Sequence, residues 1–381
     1  MIDIGTNKET ASKEKIDCMD LRTLPTSSGT DIIMNILGSR GDLGEIRDRR
    51  NEINRSSVAT ARKGSGASDK ERRFIIESDR EQFEIKIPDI DQFFGKTKAK
   101  TASRKLFTLI LSEASKTNLQ KGKITSKYVT FPLQYLVDLG IYTAKQNARR
   151  GFLNNMAPLL TMLVRGDKLK NGKLTGNGVI ASMFTAASID NGVCTIVLNE
   201  ELNWNALIQF YTYLPEYYFK LSGKADALLY SIFYIARMNG KELKEKGYFK
   251  IKFRTLQYRL NLPDEEKIDH ANRDIREIIE NAIEEVEEAH REAYGNDFLQ
   301  ITPKGYSETD NISQFLDNGY LEVRLKGDFI TPFIKAEQNR KTKVTQARKR
   351  KEKIIDDAKV KTLAATMKEE QEKASKKESS R

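Results

Sequence analysis

The stretch "YTAKQNARRGFLNN", residues 142–155, decides how the chain is read. At about 100° per residue on a helix, residues 144–163 divide into two faces. Ala144, Ala148, Phe152, Met156, Leu159, Met162 and Leu163 fall on one side, as a core-facing stripe does. Gln146, Asn147, Arg150 and Asn154 fall together on the other, with Arg149 at the flank. Thr143 is placed to cap this helix, which is expected to run to about Val164, with Pro158 marking a kink or the end of its first half. The ordinary reading of such a polar face is solvation. Two features favour a helix lying in a DNA groove. No Asp or Glu occurs from Tyr142 to Val164, and the short helix "LQYLVDLG" with its closing Gly140 comes just before. Arg can make two bonds to guanine O6 and N7, and Asn or Gln two to adenine N6 and N7. The N-terminal half of a groove-entering helix supplies such side chains.

The flanking sequence gives this helix a setting. "TASRKLFTLILSEASK" (101–116) carries Leu106, Leu109, Ile110 and Ala114 at helical spacing, and "KYVTFPL" is extended. After the central helix, "VIASMFTAAS" and "VCTIVLN" flank "IDNG", whose residues tolerate positive φ, so a β-hairpin is expected. The succession is helix, short strand, helix, helix, hairpin, a winged-helix arrangement. It recurs downstream: "SGKADALLYSIFYIARMNG" (222–240), the strand "YFKIKF", the short helix "RTLQYRLNLP", a long helix from about Glu265 to Tyr294, then "DFLQITP" and "YLEVRL". The expected fold class is α+β, tandem winged-helix domains with a flexible N-terminal arm and a basic C-terminal tail. The boundaries are 1–72 for a mostly disordered arm, 73–96 for short strands and linker, 97–213 and 214–334 for the two domains, and 335–381 for the tail. Within the arm, "DIIMNILG" allows a short helix.

Charge is distributed unevenly. The net charge is +11 and the pI about 9.3, but residues 101–215 carry +7, 216–334 carry −5 and 335–381 carry +8. Such a balance favours a polyanionic partner. On the long helix of the second domain, Ile268, Ala271, Ile275, Ile279, Ala282 and Val286 form the apolar stripe. Its exposed side begins with His270, Arg273 and Arg276, then turns acidic through Glu277, Glu280, Glu284, Glu287 and Glu288. The macrodipole favours the opposite order, whereas a helix entering a groove by its N-terminal end would have this one. Lys250, Lys252 and Arg254, and Arg324 and Lys326, stand on the polar face of the two strands, as wing contacts to phosphate or as charged sheet edges. Lys168, Lys170 and Lys173 occupy "RGDKLKNGKLTGNG", a loop fit either for the DNA backbone or for solvent.

The stretch "LPEYYFKLSGKADALLYSIFYIARMNGKELKEKGYFKIKFRTLQYRLNLP" (214–263), with Leu256, Leu260, Leu262 and Pro263 before the recognition helix, resembles plasmid replication initiators with two winged-helix domains. "IYTAKQNARRGF" is similar to that family's first helix-turn-helix. The resemblance covers about residues 97–335. The long arm, the insertion "TPKGYSETDNISQFLDNG" and the basic tail depart from the family pattern. It implies binding of double-stranded DNA at direct repeats (iterons) in a replication origin, melting of an adjacent AT-rich region, and recruitment of a host replication initiator and helicase. It also implies dimerisation through the first domain. In those terms Gln146, Asn147, Arg150 and Asn154 would read bases in the first domain, and His270, Arg273 and Arg276 in the second, with Arg149 a flanking or phosphate contact.

Other classes fit less well. Only His270 and His290 are present, and Cys18 and Cys194 are far apart, so neither a metal site, a disulfide framework nor a His-based triad is expected. No phosphate-cradling glycine loop ends in Lys-Ser/Thr. No catalytic residue, cofactor or membrane contact is expected, and a cytoplasmic location fits. Two further readings remain beside origin binding. One is a winged-helix transcriptional regulator without a replication role, which inverted rather than direct repeats near the gene would favour. The other is an adaptor whose basic tail binds RNA or an anionic surface.

Overall fold

The computed structural model describes residues 21–38, 58–62, 72–77, 81–88, 101–120, 123–170, 173–174, 179–202, 204–207, 210–262, 271–295, 298–307 and 309–335. The chain is mixed α and β. It begins with β1 (Leu21–Thr26) and α1 (Ser28–Gly38). Ser27 and Thr30 cap α1 reciprocally, Thr30 N–H donating to Ser27 Oγ (3.1 Å) and Ser27 N–H to Thr30 Oγ1 (2.6 Å). Thr30 to Leu37 are all buried, the polar Thr30, Asp31 and Asn35 as well as Ile32, Ile33, Met34, Ile36 and Leu37, so α1 is an interior helix. Residues 21–38 are therefore core. The short helix allowed at "DIIMNILG" is present as α1; within the expected arm, 1–72, it and β1 are packed into the fold.

Next come β2 (Val58–Arg62), β3 (Arg72–Glu77) and β4 (Glu81–Ile87), the last two being the strands expected around a polar turn. The first unit follows. It contains α2 (Thr101–Thr117), the short pair β5 (Leu119–Gln120) and β6 (Lys123–Ile124), β7 (Tyr128–Pro132), α3 (Leu133–Asp138) and α4 (Lys145–Thr161). Then come β8 (Leu163–Lys170), β9 (Lys173–Leu174), β10 (Ala181–Ser182), β11 (Phe184–Asp190) and β12 (Val193–Leu198). β11 and β12 turn at Asn191 and Gly192, both with positive φ (49° and 77°), as the Asn-Gly signal requires. β12 also pairs with β7, so the sheet order is β7–β12–β11.

α4 stops three residues short of the expected Val164. Met162 turns extended (φ −72°, ψ 122°), and β8 leaves to pair with β4 and β10 in a second sheet, Val164 opposite both Ile85 and Ala181. Partner strands decide this boundary, because Leu163 and Val164 suit a strand as well as a helix. Lys168, Lys170 and Lys173 thus lie on β8 and β9, not in a loop before the β11–β12 hairpin; their side chains lie outside the described residues.

After α5 (Trp204–Leu207) and β13 (Phe210–Pro215), which pairs antiparallel with β1, the second unit repeats the order. It has α6 (Ala225–Met238), α7 (Gly240–Lys246), β14 (Tyr248–Lys252), α8 (Phe253–Arg259), α9 (Ala271–Tyr294), β15 (Leu299–Lys304), α10 (Ile312–Asn318) and β16 (Tyr320–Leu325). Its sheet order, β14–β16–β15, matches that of the first unit: the strand before the helix pair outermost, the last strand central. Two elements were not foreseen. α7 fills the segment between the first helix and the strand "YFKIKF", closed by the left-handed Gly247 (φ 74°). α10 occupies the insertion between β15 and β16, opened by an Asn311–Gln314 capping box.

Buried ion pairs join these parts. Arg104 of α2 binds Asp226 of α6, with Nε to Oδ2 at 3.1 Å and a second, shorter contact. Burial is the largest influence on Arg104 and opposes its charge, but Asp226 together with Tyr218 and Tyr230 outweighs it and the guanidinium pKa lies above its ordinary value. Arg259 of α8 grips Asp31 of α1 at 2.7 and 3.2 Å. Arg22 of β1 reaches Glu113 of α2 (2.8 Å), Tyr135 of α3 (2.5 Å) and Glu216. The segment β1–α1 is thereby fastened to both units. His290 is a core residue, its Nδ1 3.1 Å from the Tyr217 hydroxyl, and burial pushes its pKa down to about 4. Among the described residues no helix is long and apolar enough to cross a membrane. Nor, among them, are three His, Cys, Asp or Glu side chains grouped to hold a metal.

Candidate nucleic-acid interface

α4 is positioned from both ends. Gly140, at φ 77°, ends α3 and donates its N–H to Val137 O (2.9 Å). The chain then enters α4 through Tyr142, whose ring lies on Gly151 and whose hydroxyl accepts from Asn155 Nδ2 at 2.9 Å. Burial raises the Tyr142 pKa to about 12. Phe152 packs edge-on against Phe131 of β7, with centroids 6.4 Å apart, and Ala148, Phe152, Met156 and Leu159 are buried. Thr143 does not cap the helix: Ala144 is the N-cap residue, without a side-chain bond, and is exposed rather than in the core stripe. Thr143 Oγ1 instead accepts from Asn147 Nδ2 (3.0 Å).

A Cβ on Gly151 would lie 2.6 Å from Tyr142 Cε1. The ring cannot easily retreat, because Asn155 holds its hydroxyl. Gly151→Ala is therefore expected to cost about 1–3 kcal/mol of stability, the usual range for overpacking, measured by urea denaturation. Alanine gains about 0.5–1 kcal/mol over glycine inside a helix, which offsets part of this cost, so a net stabilisation would mean that the Tyr142 ring is not fixed.

The outer face of α4 is open. Gln146, Asn147, Arg149, Arg150 and Asn154 are all exposed. Among the described residues no hydrogen bond or ion pair engages Gln146, Arg149, Arg150 or Asn154. Arg149, placed at the flank from the sequence, is exposed like Arg150. Leu153, an apolar residue, lies among them and is 46% exposed.

The second unit differs. His270 lies outside the described residues, and Arg273 is described in backbone only, within α9. Arg276 is not on an open face. Its guanidinium is 4.8 Å from the Phe315 ring centroid and donates to the Asp310 carbonyl at 2.5 Å, both in the insertion. Arg254 belongs to α8, not to the strand, and pairs with Asp317 at the end of α10 (2.8 Å). Phe315 also packs on Phe253 (4.6 Å) and Tyr306 (4.9 Å). The insertion thus braces α8 and α9 through Arg254 and Arg276, two arginines whose place in the sequence suggests DNA contacts. No sequence spacing shows this, because Arg276 and Asp310 are 34 residues apart.

The strand cations lie on the outer face of the second sheet. Phe249 and Ile251 point inward, leaving Lys250 and Lys252 exposed. Lys250 Nζ sits 4.2 Å from the Tyr320 ring centroid, and Arg324 lies over Tyr248 at 5.2 Å. Glu322 accepts from Arg324 (2.8 Å) and pairs with Lys304 (3.1 Å). These hydrogen bonds hold its carboxyl below the usual range. Lys326, just past β16, is exposed. These cations form a charged sheet face on the side away from the helices. Farther along α9, Glu280, Glu284, Glu287 and Glu288 line a groove of about 330 Å³ with Ile283, Arg291 and Pro303. Two acids of this half have structural work: Glu287 accepts the Ile301 N–H (3.0 Å), and Glu285 accepts the Ser222 hydroxyl (2.9 Å). That accounts for part of the acidic run.

No protein-family model matches the chain, and no curated protein matches it. Two solved structures of RctB are similar to it. For the crystal structure of selenomethionine derivatives of RctB domains 2 and 3, identity is 11% over 71% of this chain and 91% of that chain, with a TM-score of 0.35. For the crystal structure of RctB domains 2–3, identity is 13% over 72% and 93%, with a TM-score of 0.34.

Proposed function

We propose that the chain is a sequence-specific double-stranded DNA-binding protein that initiates replication at the origin of a plasmid or other mobile element. The observation that carries the DNA reading is the outer face of α4, which has no acid and presents Gln146, Asn147, Arg149, Arg150 and Asn154 exposed. Unpaired arginines with amides beside them suit the acceptor and donor pattern of the major groove. The two units, with their shared helix order and shared sheet order, are taken as winged helices. In the first, α4 is the recognition helix. In the second, the N-terminal part of α9 enters a neighbouring groove with Arg273, while Arg276 and Arg254 serve as braces. Lys252 and Lys326 stay available for phosphate. Two unlike units in one chain suit direct repeats, whereas a regulator built on one module dimerises on inverted half-sites. Recruitment of a host initiator and helicase, and pairing of two copies, belong to the same reading.

The test is autonomous replication of a circular DNA that carries the gene and its flanks as sole initiator source. Replication that is lost with an Arg149→Ala/Arg150→Ala gene supports the proposal. Specific binding to flanking DNA without any replication makes the protein a regulator. No specific binding removes both readings.

A further inference from the structure

Leu153 is a large apolar side chain, 46% exposed, in the middle of the polar face of α4. At ~100° per residue it lies about 20° from Gln146 and about 60° from Arg150 around the helix axis. The half-buried Ala157, one turn on, extends this apolar spot. The spot is too small for a protein partner. A stable protein contact needs roughly 800 Å² from each side, and Leu153 is ringed by Gln146, Arg149, Arg150 and Asn154. Tyr128 and Val193 are exposed too, but they alternate along β7 and β12 with buried Val129 and Cys194 and so face the other side of the sheet. Within a major groove one chemical group matches an isolated leucine between base-reading amides and guanidiniums. It is the C5-methyl of thymine, the apolar element of the groove's pattern.

We infer that Leu153 is a specificity-determining residue that packs on a thymine methyl in the site read by α4. The inference rests on the DNA-binding reading above and adds a required base to it. The test uses the full chain and a random duplex pool to select bound sequences, after which each thymine of the selected site is replaced singly by uracil. Uracil keeps every hydrogen bond and lacks only the methyl. At one thymine, or two adjacent ones, the wild-type protein should lose about fourfold in affinity, the worth of one buried methyl group. Leu153→Ala should bind the thymine site more weakly and no longer distinguish thymine from uracil there. If the selected site binds but no uracil substitution matters, or Leu153→Ala keeps the same preference, the thymine contact is wrong while DNA binding stands. If no sequence is enriched, the DNA-binding reading fails and this inference with it.

Discussion

Replacing Asp226 by alanine is expected to lower the unfolding free energy by about 3–5 kcal/mol, the cost of leaving a buried charge without its partner. Asp226 and Arg104 are both almost fully buried and bridge α6 to α2. Without the carboxylate, the Arg104 guanidinium keeps its charge in an interior that cannot solvate it. Urea denaturation followed by circular dichroism measures the loss. Arg104→Met combined with Asp226→Leu should recover most of it, because apolar replacement of a whole buried pair is often neutral. A single Asp226→Ala variant within about 1 kcal/mol of wild type would show that water reaches Arg104. Asp31 should behave alike, since Arg259 holds both its oxygens. Its loss would also loosen α1 from α8.

The other large effect concerns DNA. Gln146→Ala, Arg150→Ala and Asn154→Ala together should remove discrimination by the first unit. Each good base contact is worth about 1–3 kcal/mol, so the triple variant should lose most of the discrimination at the base pairs that α4 reads, while the base pairs read by the second unit keep theirs. Stability should hardly change, because all three side chains are exposed. Competition binding against unrelated duplex at fixed salt reads the effect. Unchanged discrimination at every base pair of the site would place base reading on an element other than α4. Arg276→Ala, by contrast, should chiefly destabilise, because its head lies on Phe315 and at the Asp310 carbonyl.

The reading of α4 needed only its periodicity. A helix of this length must bury Ala148, Phe152, Met156 and Leu159 together, and that forces Gln146, Arg150 and Asn154 outward. The Asn191-Gly192 turn and the stop at Gly140 were legible for the same reason: local backbone geometry fixes which residues fit. Leu153 was within reach of the same periodicity, since an apolar residue on the outward face is itself a signal. The helix α1 was legible as a short helix at "DIIMNILG", but its burial was not. Its apolar residues lie in a short run with Asp31 and Asn35 among them, and its partners Tyr258, Arg259 and Asn261 stand more than 220 residues away.

By itself, then, the sequence determined the two repeated element orders and which face of α4 meets solvent, because both follow from contacts between near neighbours. Only the tertiary structure decided that residues 21–38 are core, that β8 leaves α4 for a second sheet, and that Arg254 and Arg276 brace an insertion. Those outcomes depend on which distant group reaches a charge or a strand edge first, and spacing along the chain carries no record of that.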